Sequence, residues 1–180
     1  MQRTFYFLIV GSIALIWLAQ RMRLAVQKLV TGHPGDHMLD LRFVGYSAED
    51  VRGYCARLGE DKRSYYLKTQ TRIELAFIMA YGIAGASAGV WVSAAIFNEN
   101  WKLVSWVPFI GALFIVAAAI VDLDEGQAIR KLLKAYPRID EAAVARASRT
   151  TRLKWLFLFL GVAMLLAGIM LVVVAKLKGA

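Results

Sequence analysis

Four apolar segments, about residues 5–20, 74–97, 104–122 and 155–175, divide this 180-residue chain into two long basic loops and one short connection. A hydrocarbon core about 30 Å thick is crossed by roughly 20 apolar residues in a helix, which satisfies its own backbone where no water can. No charged residue interrupts Leu75 to Phe97, Val104 to Val121 or Trp155 to Ala175. The first segment is shorter and needs local thinning of the bilayer or help from flanking residues. The predicted fold is therefore all-α: an integral membrane bundle of four transmembrane helices, one domain over residues 1–180. Loops 21–73 and 123–154 supply a small helical module on the cytoplasmic side.

The orientation follows from charge. Of 22 Lys and Arg, ten fall between Arg21 and Arg72 and eight between Arg130 and Lys154, whereas the 98–103 connection holds only Lys102. Cytoplasmic loops carry the excess of Lys and Arg, so both long loops are expected inside and both termini outside. The net charge of +9 is then a product of topology, and a nucleic-acid partner is not needed to explain it. Residues 5–19 resemble a signal peptide only in length. The stronger charge (Arg21, Arg23) follows the apolar run and no A-x-A site ends it, so it reads as a retained anchor. Cys55 is the one cysteine, which excludes an internal disulfide or a thiol-pair redox centre. The heavy use of Ala, Arg and Gly fits a GC-rich bacterium, and hence an inner membrane.

Local signals organise the loops. The first span continues as a helical stripe through Leu24, Ala25, Leu29 and Val30 until the Thr31-Gly32-His33-Pro34-Gly35-Asp36 breaker. Alternating Leu39, Leu41 and Phe43 read as a short extended piece. Ser47 with Asp50 three residues on forms a capping box, and Val51, Tyr54, Cys55 and Leu58 keep the spacing of one buried helical face before Gly59 stops it. A second helix begins near Asp61, carries Tyr65 and Tyr66, and runs into the second span. Gln127 to Tyr136 reads as a separate amphipathic helix whose Arg130, Lys131 and Lys134 suit anionic lipid, ended by Pro137. Asp140 caps the next helix. In the second span Gly82, Gly85 and Gly89 form a small-residue face for close helix packing, within the bundle or across a dimer. Trp91, Trp101 and Trp106 mark one interface and Trp17 and Trp155 the other.

Chemistry-bearing residues gather at the cytoplasmic ends of the spans: Glu74, then Asp122, Asp124 and Glu125, then Arg152 and Lys154, with Arg63 and Arg72 near in sequence. Asp122 and Glu125, three apart, share a helical face and are the candidate acid/base or cation-binding pair. Arg63, Arg152 and Lys154 are the candidates for lipid or phosphate. Boundary charges also serve as plain anchors. His33 and His37 with Asp36 and Asp40 are ordinary metal-ligand types, but Pro34 and Gly35 keep them off one helix face, so no metal site is assigned, and no cofactor is implied.

The runs Leu39-Asp40-Leu41-Arg42-Phe43, Gly45-Tyr46, Leu58-Gly59, Lys62-Arg63 and Tyr65 resemble a pattern of small bacterial four-helix integral membrane proteins, an uncharacterised group. Asp122-Leu123-Asp124-Glu125-Gly126 resembles its D-x-x-E-N element, and Ala147-Ser148-Arg149-Thr150 with Lys154-Trp155 its A-S-x-x-T-x-x-x-K-W entry to the last span. Lys62, Glu74 and Gly126 depart from the pattern, where Gly, Asp and Asn are expected. The resemblance implies fold and topology, not an activity.

Functionally, spans without ionisable groups argue against a monomeric transporter. The leading expectation is a non-enzymatic accessory or scaffold subunit whose partners are membrane lipids and other membrane subunits or further copies of itself. The alternatives are a lipid-head-group or phosphate-binding enzyme with a cytoplasmic-face carboxylate site, and an oligomeric channel or transporter.

Overall fold

The computed structural model describes residues 10–11, 13–18, 20–22, 24, 39–98 and 101–179, and among them no strand is present. A 3₁₀ turn, Leu39–Leu41, precedes three long helices: α1 (Ala48–Asn98), α2 (Trp106–Ala135) and α3 (Glu141–Gly179). Each contains a stretch long and apolar enough to cross a membrane: Arg72–Asn98 with 27 residues, Trp106–Ala135 with 30 and Glu141–Leu177 with 37. The first apolar segment is represented by a shorter apolar helix, Ile13–Met22.

α1 starts where the capping box places it. The Ser47 amide donates to Asp50 Oδ2 at 2.8 Å and the Asp50 amide to Ser47 Oγ at 3.1 Å, so each side chain satisfies the other's backbone donor. Arg42 closes on the same carboxylate at 2.8 Å. The helix bends at Gly59, whose φ of 68° and ψ of 177° lie in territory that a side chain makes costly. It then continues without a break into the span, so the 51 residues of α1 are two helices joined at one glycine.

The small-residue face of α1 packs inside the chain. A Cβ at Gly85 would run into Ile115, one at Gly89 into Ala112 and the Pro108 carbonyl, and one at Gly82 would sit 3.3 Å from Ala119 Cβ. α2 lies between α1 and α3 and repeats the device with Gly111 against Gly161. A Cβ on the first would meet the carbonyl of the second at 2.9 Å. In a bilayer such contact rests on dispersion between closely approaching backbones. The α1–α2 turn is tied by Ser93 Oγ donating to the Ser105 carbonyl at 2.7 Å.

A second core sits at one end of the bundle, beyond the charge-free runs 75–97, 104–121 and 155–175. Val51, Tyr54, Cys55 and Leu58 of α1 pack with Ile129, Leu132 and Leu133 of α2 and Val144 and Ala147 of α3. Leu39, Tyr46, Tyr66, Ile73 and Ile139 complete it. The two long loops thus fold together as one helical module.

Two local expectations are corrected. Residues 39–43 are not extended: Leu39–Leu41 is a 3₁₀ turn, with the Arg42 amide donating to the Leu39 carbonyl and Gly45 to Arg42. The pattern of alternation was too short to separate a strand from a turn, and tertiary contacts at the Asp40 carbonyl decide it. Gln127 to Tyr136 is not a separate helix but the last turns of α2, and its apolar side enters the module's core rather than standing alone. Pro137 does end it, and Asp140 Oδ1 accepts from the Ala142 amide at 3.1 Å to start α3.

Candidate functional site

Where the spans meet the module, four elements contribute to one buried network. On α2, Asp122 and Glu125 are one turn apart and face the same way. On α3, Ala147, Thr151 and Lys154 follow the i, i+4, i+7 spacing that turns them together toward α2 and the 39–46 segment. Lys154 Nζ stands 2.5 Å from Glu125 Oε2 and 3.1 Å from Asp122 Oδ1, and donates to the Asp40 carbonyl at 3.1 Å. Two of the ammonium's N–H bonds are hydrogen bonds, to Asp122 Oδ1 and the Asp40 carbonyl, and the Glu125 contact is a close ion pair without hydrogen-bond geometry. Trp155 Nε1 reaches the same Asp40 carbonyl at 3.3 Å, pinning the 3₁₀ turn to α3.

The carboxylates are satisfied on their other side. Thr151 Oγ1 donates to Glu125 Oε1 at 2.5 Å, and Tyr81 of α1 donates to Asp122 Oδ2 at 3.1 Å. Thr151 also lies 3.1 Å from the Ala147 carbonyl; having one proton, it gives it to the nearer, charged acceptor. Glu125 is fully buried and Lys154 nearly so, at 5% exposure. Such a pair is held only where geometry and hydrogen bonds offset the loss of water, which this network supplies.

Tyr46 packs over Thr151. Burial pushes its phenol above the ordinary range; the Thr151 hydroxyl partly offsets this, and the Glu125 charge adds to it. Its amide is taken up as well, donating to Ser148 Oγ at 2.9 Å. The neighbouring Gly45 has φ 89° with Arg152 Nε and Ser148 Oγ where a Cβ would be, so the turn needs glycine.

Of the residues singled out from sequence, Asp122, Glu125 and Lys154 come together. Arg152 is exposed and lies along Gly45, while Arg63 stands over the Tyr136 ring at 5.1 Å. Asp124 is exposed, and Glu74 faces Gly126 across α1 and α2. Tyr66 is buried in the module's core and Tyr65 exposed. His33, Asp36 and His37 lie outside the described residues. Sequence reasoning missed Tyr46, Tyr81, Thr151 and the Asp40 carbonyl. Thr151 was within reach, because it falls one turn before Lys154 on the same face; the Asp40 carbonyl leaves no trace in sequence.

Comparison with protein families, with curated proteins and with solved structures finds no match for this chain.

Proposed function

We propose that this chain is a four-span inner-membrane protein, both long loops cytoplasmic, that serves as a non-enzymatic accessory or scaffold subunit of a larger membrane complex. The observation that carries this reading is the closed state of its charge centre. Lys154 pairs with both carboxylates and donates to the Asp40 carbonyl, and Tyr81 and Thr151 donate to Asp122 and Glu125 from the other side, so each charge is engaged by groups of the chain itself. A carboxylate-site enzyme needs Asp122 or Glu125 to meet a substrate, and Lys154 occupies both. The network instead fixes the module to the spans, as a platform presented at a membrane surface requires. The outward side of the spans agrees: in the most apolar 18 residues of α3 only 11% are buried within the chain, leaving apolar surface for lipid or neighbouring subunits.

Purification from the native membrane in mild detergent, with mass spectrometry of what co-purifies, tests it. Stoichiometric membrane-protein partners support the subunit role and name the process. A chain that purifies alone, together with normal complex assembly in a deletion strain, sinks it. Asp122→Asn with Glu125→Gln belongs to the same test, since loss of a turnover at unchanged expression would move the assignment to the enzyme.

A further inference from the structure

A groove of about 880 Å³ opens between α1, α2 and the Ile13–Met22 helix, away from the Lys154 network. Lys68 and Arg72 of α1 and Arg130 and Lys134 of α2 line it, with Ser64 and Thr69 adding hydroxyls. No carboxylate lines it, and none of the four cations pairs with a described carboxylate. The Arg130 Nε is buried without a hydrogen-bond partner.

Each helix presents its two cations four residues apart, hence on one side. Like charges at that spacing repel, and two such pairs turned to one groove favour an anion between them. The level in the bundle says where that anion comes from. Glu74 and Gly126 face each other across α1 and α2. From there Arg72 and Lys68 run back along α1 as Arg130 and Lys134 run forward along α2. All four therefore lie beyond the charge-free runs 75–97 and 104–121, on the module side, where a phosphate head group would sit. Leu67, Ile73 and Met22 give the groove an apolar wall.

We infer that this groove is a binding site for an anionic phosphate group, with the guanidinium forks of Arg72 and Arg130 taking its oxygens and Lys68 and Lys134 balancing its charge. Occupancy holds α1 to α2 at the membrane boundary. The site does not depend on the scaffold role; only its lipid source rests on the chain lying in a membrane.

The test uses the delipidated full chain in neutral detergent. Phosphatidylglycerol and phosphatidylcholine are titrated by native mass spectrometry, and inorganic phosphate and glycerol phosphate by calorimetry. One phosphatidylglycerol retained in preference to phosphatidylcholine assigns the site to an anionic lipid. Saturable binding of glycerol phosphate without lipid preference assigns it to a soluble phosphate. Each basic side chain contributes about fivefold to affinity for an anionic lipid, so Arg72→Gln/Arg130→Gln should weaken binding about 25-fold. Lys68→Gln/Lys134→Gln, at two exposed lysines, gives the same reading without touching buried atoms. Arg138→Gln/Arg149→Gln, which removes equal charge at exposed positions outside the groove, should leave binding unchanged. Failure of both ligand classes to bind, or equal losses in the groove and control variants, overturns the site.

Discussion

Lys154 stands between two carboxylates and a backbone carbonyl with almost no access to water, and its removal has a different consequence from removal of the whole set. Lys154→Met leaves Glu125 buried without its cation, a loss of roughly 3–5 kcal/mol. Replacing both, as Lys154→Met/Glu125→Leu, should recover most of that loss, because apolar side chains of similar volume often match a buried pair. Thermal unfolding in detergent of the two singles and the double checks this; additive losses would mean that the pair is not coupled. Asp50 behaves differently. The Ser47 amide and hydroxyl, and then Arg42, hold its carboxyl below its ordinary value of 3.8. A lowered folded value means that its contribution is present above the ordinary value and fades as pH falls through the lowered one. With 41% of the side chain exposed the effect stays under about 1 kcal/mol. Asp50→Asn should therefore be less stable than the parent at pH 6, with the gap narrowing toward pH 3. Unfolding midpoints at the two pH values measure it.

At the scale of elements, helix contacts set by glycine are less forgiving than those set by large side chains. Gly89 lies against Ala112 and the Pro108 carbonyl, which is backbone and has nowhere to move. Gly89→Val should destabilise the chain by roughly 1–3 kcal/mol through separation of α1 and α2. Gly11 has open space around it, so Gly11→Val should change little. Comparison of their melting temperatures decides whether the α1–α2 seam is the tight one. Elements of this kind were readable in sequence because their causes are local: the Ser47–Asp50 box, the Gly59 stop, the Pro137 break and the Asp140 cap each act within a turn or two. The 3₁₀ turn was not, because Lys154 and Trp155, more than a hundred residues on, hold its Asp40 carbonyl. The charge centre was readable in part for the same reason. Asp122 and Glu125 share a face by spacing alone, whereas Tyr46, Tyr81 and Thr151 join them only once α1, α2 and α3 have packed.

For the whole molecule, the module and the spans are one structure seen from two solvents. The module's core runs from Leu39 to Ile73 and from Ile129 to Ala147, and these are stretches of the two long basic loops. In the proposed topology, positive charge on the loops and the shared core ask for the same arrangement, both loops on one side of the membrane. Cys55 is a poor reporter of which side, since it is fully buried and burial pushes its thiol above the ordinary range. Two substitutions at exposed positions report instead, each made in a Cys55→Ser background. Ala56→Cys lies on the exposed side of α1 within the module, and Leu103→Cys lies in the short connection between α1 and α2, where Leu103 is 86% exposed. With the loops cytoplasmic, a membrane-impermeant maleimide should label Leu103→Cys in intact cells and Ala56→Cys only in inverted vesicles. The reverse pattern would turn the molecule over and place the phosphate groove on the outer face, where it would face the outer leaflet. Labelling of both positions from one side would break the hairpin of α1 and α2 as a membrane crossing. Because the groove and the charge centre both lie at the module end, this single pair of reporters fixes the side on which every proposed contact takes place.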